Sequence, residues 1–523
     1  MKLKYARLMF VLVILALVAS IAPVGAQDNI LRILSNADIR TADPHIAYEL
    51  ETWPTVALFY RGLVELENAD TAVPGLAESF TVSDDGLVYT FVLREGLKFS
   101  NGRDLTSADV VYTWERWMDP ELPSPTAYFF DSLDGVAEYR AGEADTISGI
   151  TTPDDRTIIF TFDYPVWTMI QRFALPPAAI IAREGVEAAG EDFGRQPLGA
   201  GPFVLTAWEP GLRIAGDANP YYYKEGMPRV AGFEMSLGVE PSVGTLRIDG
   251  GEADISLDFV PNSDFPRINA DPILAERLVA TTAFPNIDYL VFQTRTEPFN
   301  NVDVRRALSM AIDRTRLNQI LNGRAFPATG PVPPGTPGDN STLEAFAYDP
   351  EAAREMLAAA GYPDGLTTEI LTNTDPTNVS VSQAIIADWA QIGVNATLST
   401  IDNAQFLDIL INQPETFQVV MTNWYMDYQD PSNVYEPLFG CGGSYNWGGY
   451  CNEEIQAVFD VNNLIPFGDA RWAAFAEFEG LLFEDQPAAF LYHLQNFYYR
   501  STRLSIETDA ALLFKWDSAS LGS

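Results

Sequence analysis

Strand and helix patterns alternate along the whole chain, and this alternation most constrains what the chain can fold into. The turn sequence at residues 83–86 precedes an alternating segment at residues 88–93, which predicts a hairpin. Thr106 and Asp109 suit the start of a helix that extends to Trp117. No internal repeat, low-complexity run or obvious Gly/Ser linker interrupts the pattern, so we predict mixed α/β domains.

The second half of the chain carries longer amphipathic helix patterns. Apolar residues recur three and four positions apart after Asp303 and again after Asp349, as in helices with one core-facing side. The chain has 523 residues, and single cores stop growing near ~250–300 residues, so we expect several domains. A first compact unit is predicted over roughly residues 56–195.

The chain is strongly acidic: 71 Asp and Glu residues outnumber 32 Lys and Arg residues, for a formal net charge of −39. Nucleic acid and anionic membranes bind clustered basic residues, so this balance argues against both as partners. Two Cys and two His residues are too few for zinc fingers or haem attachment. We expect neither a metal nor a cofactor. A hydrophobic content of 47% excludes a disordered acidic chain.

Residues 1–26 have the pattern of a secretory signal peptide. Lys2, Lys4 and Arg7 form a basic start, an apolar stretch covers residues 8–19, and small residues at 24–26 offer a cleavage site. No Cys lies near that site, so we expect no lipoprotein anchor there. The protein is therefore predicted to be periplasmic or extracellular.

Cys441 and Cys451 are the two cysteines of the chain, and they lie close together in sequence. An oxidising compartment favours a disulfide between them. Two free thiols remain the alternative at this point.

Catalytic motifs of secreted hydrolases are missing from the sequence. There is no G-x-S-x-G elbow, H-E-x-x-H motif or P-loop, and only His45 or His493 could serve a Ser–His–Asp triad. A lone His is more often structural than catalytic. Pairs of carboxylates could still hydrolyse glycosides, but 71 acids give no reason to choose one pair. A carboxylate-dependent hydrolase therefore remains a competing hypothesis.

One segment, residues 423–431, combines two acids with several aromatic residues after an apolar strand pattern. It contains Trp424, Tyr425 and Asp427, and Trp447 follows in the Gly-rich stretch between the cysteines. Aromatic walls exclude water, and a carboxylate among them binds a cation strongly. An ordinary turn with core aromatic residues explains the same pattern, and the residues alone do not decide between the two.

Several motifs, taken in order and spacing, resemble those of the extracellular solute-binding proteins of family 5, the peptide-binding components of ABC importers. They recur over nearly all of the chain after residue 26. The matching segments are residues 59–64, 74–80, 83–86, 91–99, 105–111, 197–203, 219–222, 304–308, 311–314 and 348–353.

This resemblance implies an α/β fold of the two-lobed periplasmic-binding-protein type (type II, cluster C), with an extra domain inserted in the first lobe. Two lobes then close over a ligand and are joined by a two-strand hinge, placed near residues 290–294 and 485–490. The implied division is 1–26 signal peptide, 27–55 with 196–292 and 488–523 lobe I, 56–195 inserted domain, and 293–487 lobe II.

The resemblance also implies a monomeric, non-enzymatic receptor that delivers a peptide-like solute to ABC permease subunits. In peptide-binding relatives, the acid matching Asp427 pairs with the ligand's α-ammonium, and the Trp matching Trp424 lines a pocket. The backbone around Tyr425 is expected to pair with an extended peptide. His45 and Trp447 are expected to contribute to the same cleft. The stretch between the cysteines is similar to the disulfide loop of dipeptide-binding members.

Residues 371–375 depart from that pattern. Dipeptide-binding members place an Arg for the ligand carboxylate in this stretch, and here it contains no Arg. The departure disfavours a strict dipeptide ligand and leaves longer peptides, amines or oligosaccharides. Nickel is less favoured, because a nickel or nickel-chelate site is expected to use His.

Overall fold

The computed structural model describes residues 29–49, 52–67, 71–280, 286–344, 346–508 and 514–522. The predicted signal peptide, residues 1–26, lies outside these ranges. No helix within them is both long and apolar enough to cross a membrane.

A five-stranded sheet organises the first lobe. Its second strand, Ile30–Leu34, pairs in parallel with both neighbours, and Leu31 and Ile33 are its inward residues. Leu31 and Ile33 pack with Phe233 and Trp516 in one apolar core. The strands in spatial order are Ile255–Ser256, Ile30–Leu34, Gly232–Ser236, Arg213–Ala218 and Phe203–Glu209.

A separate four-stranded sheet lies in the predicted inserted domain. The expected hairpin forms, and the helix Ser107–Met118 begins where Thr106 and Asp109 predict it. The Asp109 carboxylate accepts a hydrogen bond of 2.9 Å from the Thr106 backbone N–H, which caps the helix. The strands in spatial order are Ala77–Val82, Val88–Leu93, Thr157–Thr161 and Ile150–Thr151.

A six-stranded sheet organises the second lobe, and the amphipathic helices predicted there pack against it. Trp389, at the end of the helix Pro376–Ala390, is fully buried in this core, and its indole N–H donates to the Leu308 carbonyl. The strands in spatial order are Ala325–Pro327, Ala488–Leu494, Asn286–Phe292, Val419–Tyr425, Thr367–Asn373 and Asn395–Ile401.

The strands Asn286–Phe292 and Ala488–Leu494 pair with each other inside this six-stranded sheet. The first of them also pairs with Val419–Tyr425 along its whole length. Domain boundaries at 292/293 and 487/488 would divide one sheet between two lobes. We therefore propose that the chain crosses between lobes before residue 286 and after residue 494. The rest of the predicted domain division stays a prediction.

The remaining described elements connect and cover these sheets. The helices are Thr52–Phe59, Ser107–Met118, Val136–Arg140, Met169–Arg172, Arg183–Ala189, Pro241–Asp249, Phe265–Ala270, Pro272–Ala275, Val302–Met310, Arg314–Ile320, Pro350–Ala359, Pro376–Ala390, Asn403–Asn412, Ser432–Phe439, Glu453–Asn463 and Asp469–Asp485. The short two-stranded pairs are Val64–Leu66 with Ala72–Pro74, Leu278–Ala280 with Phe497–Tyr499, and Leu504–Thr508 with Phe514–Leu521.

Candidate functional site

Asp427 lies two residues beyond the strand Val419–Tyr425, and Asn433 holds it in place. The Asp427 backbone N–H donates to Asn433 Oδ1 at 2.8 Å, and Asn433 Nδ2 donates to Asp427 Oδ2 at 3.1 Å. The Trp424 indole N–H also donates to Asn433 Oδ1, at 3.3 Å. One buried amide therefore positions both of the residues that the sequence singles out.

The Asp427 carboxylate lies against one tyrosine of lobe I and close to another of the predicted inserted domain. The Tyr48 hydroxyl donates to Asp427 Oδ2 at 3.2 Å, and Tyr128 lies close by. Burial raises the pKa of the Asp427 carboxyl to about 6, and hydrogen bonds from Asn433 and Tyr48 offset this only in part. Arg172 attracts the carboxylate weakly, because its guanidinium is bonded to Tyr428 and Glu436.

Aromatic rings surround this carboxylate. The Tyr445 ring centroid lies 5.0 Å from that of Trp424, 6.1 Å from that of Tyr48 and 5.9 Å from that of Trp447. The Trp53 ring packs edge-on against Tyr48, with 5.8 Å between centroids. The predicted residues Trp424, Asp427 and Trp447 therefore belong to one aromatic cluster.

A disulfide between Cys441 and Cys451 confirms the favoured alternative for the two cysteines. It closes the loop that carries Tyr445 and Trp447. Asn446 donates to the carbonyls of Gly440 and Tyr450, which ties the loop to both of its ends. The disulfide loop thus supplies one wall of the aromatic cluster.

Tyr425, the remaining predicted residue of this segment, contacts lobe I away from the aromatic cluster. Its ring stacks on Phe259 of lobe I with 6.1 Å between centroids, and its hydroxyl accepts a hydrogen bond from Asn496. Both rings line a cavity of about 760 Å³ to which the two lobes contribute. This volume is within the range of small-molecule sites.

His45 is placed differently from the other predicted residues. Its ring is fully buried and stacks on Trp117, with 5.5 Å between centroids. Arg116 donates to His45 Nδ1 and pairs with Asp43. Burial lowers the pKa of His45 to about 3. The ring is a neutral packing group that offers no exposed surface to the cleft.

The lobes touch on several sides of the cleft. Arg172 of the inserted domain donates to the Tyr428 hydroxyl at 2.9 Å, and the Trp167 indole N–H donates to the Leu464 carbonyl at 3.0 Å. Asn262 of lobe I donates to the Ile320 carbonyl. These contacts describe a closed arrangement.

The sequence did not single out Tyr48, Asn433 or Asp288 for this site. Tyr48 is 379 positions from the carboxylate it contacts, so no local pattern links the two. Asp288 enters the cavity because it pairs with Asn423 across two antiparallel strands. Among the described residues, no group of three or more His, Cys, Asp and Glu side chains could hold a metal ion.

Residues 71–446 match the family described as bacterial extracellular solute-binding proteins, family 5 Middle. Heme-binding protein A of Haemophilus influenzae is 30% identical over 77% of this chain and 75% of its own length. Di/tripeptide-binding protein 2 of Pseudomonas aeruginosa is 28% identical over 92% of both chains.

The structure of Haemophilus influenzae OppA in complex with RPPGFSPFR superimposes with a TM-score of 0.81 at 20% identity, over 94% of this chain and 99% of that one. This similarity confirms the predicted α/β fold of two lobes. The chain belongs to the bacterial extracellular solute-binding proteins of family 5.

Proposed function

We propose that this protein is an extracytoplasmic receptor that binds the α-ammonium of a peptide-like solute at Asp427 and delivers the solute to an ABC permease. One observation carries the proposal: a carboxylate buried between the lobes, inside an aromatic cluster, with its nearest cation engaged elsewhere. The names of relatives, di/tripeptide-binding and glutathione-binding proteins, support a peptide-like ligand.

The chemistry of the cluster favours an ammonium group. A buried carboxylate attracts a cation more strongly than an exposed one, because water no longer screens the charges. An ammonium has three N–H donors, and Asp427 accepts from Asn433 and Tyr48 without using all its lone pairs. The Tyr445 ring lies beside the carboxylate, where it can add cation–π attraction.

An oligosaccharide receptor of the same family is the second candidate. The observation that favours it is the stack of Phe259 on Tyr425, since sugar rings pack on aromatic faces and bond to amides such as those of Asn423 and Asn496, which line the same cavity. A haem ligand, suggested by one relative's name, is not favoured by His45 and His493. Both rings are buried, with lowered pKa values.

The proposal is tested by isothermal calorimetry with Ala-Ala-Ala, its N-acetylated form, glutathione, a maltotriose control and haem. We expect the free-amino tripeptide to bind and N-acetylation to weaken it by at least about 30-fold, as for loss of a buried charge pair. Asp427→Asn should weaken the free-amino peptide similarly. The matched control is Asp408→Asn, an acid on an exposed helix surface.

Two further results would count against this function. Equal binding of the free and acetylated peptides would remove the role of Asp427. Hydrolysis of any ligand, followed by mass spectrometry, would favour the hydrolase hypothesis. Native mass spectrometry of protein purified with its endogenous ligand adds an independent check, since a sugar mass there contradicts the peptide.

A further inference from the structure

We propose that the far end of the cleft binds a second cationic group of the ligand, between Asp288 and Asp375. The inference rests on the proposed function, because it assigns the ligand that Asp427 holds by its α-ammonium. It narrows the ligand class to peptides with a basic residue some distance from the amino terminus.

The strand pairing sets the distance between the two acidic ends. Asp288 lies directly opposite Asn423 in the antiparallel pair, so the two side chains share one face of the sheet. Asn423 and Tyr425 line the cavity, and Asp427 lies two residues beyond the end of their strand. The chain advances four residues from Asn423 to Asp427, which spans at most about 13 Å at ~3.3 Å per residue.

Asp288 is a buried carboxyl without a cation partner among the described residues. It is 4% exposed and accepts a hydrogen bond of 3.3 Å from Asn286 Nδ2. Burial raises its pKa well above the usual range, and the neighbouring Asp375 raises it further. A ligand cation is the group that this carboxyl lacks.

Asp375 occupies the helix N-terminus that could otherwise bind a ligand carboxylate at this end of the cavity. The helix Pro376–Ala390 points its N-terminus at the cavity, and a free helix N-terminus attracts carboxylates. Asp375 already accepts from the backbone N–H groups of Thr377 at 2.8 Å and Asn378 at 2.9 Å. A ligand carboxylate would therefore meet an acid here, while a ligand cation would be attracted.

Tyr492 gives an independent indication that a polar ligand group belongs beside Asp288. Its side chain is 1% exposed and lines the cavity. Its hydroxyl is close enough to Asp288 to lower the pKa of that carboxyl, but it has no well-aligned hydrogen-bond partner among the described residues. An ammonium or guanidinium donating to Asp288 and to this hydroxyl would satisfy both.

Arg324 also lines the cavity, but it does not compensate Asp288. Its guanidinium donates to Asn262 Oδ1 at 3.1 Å and to the Val260 carbonyl at 3.4 Å, and it lies over the Phe265 ring. Its charge makes no contribution to the pKa of Asp288. Arg324 joins the two lobes and leaves both acids without a cationic partner in the part of the chain that the structure describes.

The geometry points to a peptide with Lys or Arg at its third or fourth residue. An extended ligand anchored by its α-ammonium at Asp427 advances about 3.3 Å per residue, so its third and fourth residues reach the Asp288 end. A neutral side chain there would gain no charge pairing with Asp288, and an acidic one would meet two acids.

The test compares matched tetrapeptides by calorimetry at pH 7.5: Ala-Ala-Lys-Ala and Ala-Ala-Ala-Lys, each against its norleucine and Glu counterparts. We expect at least one Lys peptide to bind about tenfold or more tighter than its norleucine counterpart, and the Glu peptides to bind weakest. Asp288→Asn should abolish the preference for Lys over norleucine. Asp408→Asn, on an exposed helix surface, should keep the preference.

The result that overturns the inference is equal affinity for Lys and norleucine peptides at both positions in the wild-type protein. If acetylation still abolishes binding of those peptides, the proposed function stands while this inference fails. Failure of every free-amino peptide to bind overturns both. The comparison of Lys and norleucine peptides on the wild-type protein tests the inference even if Asp288→Asn does not fold.

Discussion

The carboxylate of Asp427 forms no ion pair with the residues that the structure describes. Asn433 and Tyr48 fix its orientation through hydrogen bonds. A second acid in the same segment, Asp430, differs because it has a cationic partner. Arg471 pairs with it through two hydrogen bonds, and both side chains are fully buried. Two acids three residues apart thus differ: Asp430 is structural, and Asp427 is the acid that we propose binds a ligand.

Binding of ammonium ligands should weaken as the pH falls through about 6. The groups that face Asp427 are Tyr48, Tyr128, Tyr445, Asn433 and Arg172, and together they leave its pKa raised to about 6 by burial. At pH 5 only about a tenth of such carboxyls are ionised, so the affinity for Ala-Ala-Ala should drop about tenfold relative to pH 7.5.

Calorimetry over this pH range checks the expectation. The α-ammonium of the peptide stays protonated below about pH 7.7, so Asp427 dominates the change. Asp427→Asn should bind weakly and show almost no dependence on pH between 5 and 7. A wild-type affinity that stays constant over the same range would contradict the expected role of Asp427.

At the scale of elements, features that depend on neighbouring residues were predictable from the sequence. The pairing of strands distant in sequence was not. The helix cap at Thr106 and Asp109 and the disulfide follow from neighbouring residues. The apolar runs at 286–292 and 488–494 gave no indication of the sheet to which they belong, because strand partners are distant in sequence. Asp288 was missed for the same reason.

The disulfide loop should stabilise both the fold and the aromatic wall. We expect Cys441→Ser with Cys451→Ser to lower the free energy of unfolding by about 2–3 kcal/mol, since the unfolded chain regains loop freedom. Ligand affinity should fall several-fold, because Tyr445 and Trp447 lose their support. Urea unfolding and calorimetry measure the two effects.

The control for this variant is the wild-type protein in mild reductant, which should show the same two losses. A double mutant with unchanged stability would mean that the hydrogen bonds of Asn446 alone hold the loop. Unchanged ligand affinity would mean that the disulfide loop does not contribute to ligand binding.

At the scale of the molecule, the inserted domain takes part in closure. Arg172 reaches from it to the Tyr428 hydroxyl and to Glu436, and Trp167 reaches the Leu464 carbonyl. The two-lobed fold itself was predictable from ordered motifs, but these bridges join residues that are hundreds of positions apart. On the predicted domain division, these bridges join the inserted domain to lobe II.

Removing the bridge from Arg172 should destabilise the closed arrangement. We expect Arg172→Met to release ligand about tenfold faster with little change in the association rate, because contacts formed on closure affect dissociation most. Stopped-flow fluorescence of the Trp-rich cleft reports both rates. Small-angle scattering should show a smaller radius of gyration on ligand addition in the wild type than in the variant.

Arg183→Met is the matched control, since Arg183 is an exposed residue of the inserted domain that lies over Tyr112 without crossing the cleft. It should leave both rates unchanged. Identical dissociation rates for wild type and Arg172→Met would contradict a role of this bridge in closure.

Burial of the Asp427 carboxyl affects the free energy of the closed form without ligand. A pKa of about 6 instead of 3.8 corresponds to about 3 kcal/mol against the empty closed form at neutral pH. A bound ammonium removes that penalty. Closure of the lobes is therefore coupled to ligand binding. On the proposed function, such a receptor would seldom present an empty, closed surface to a permease.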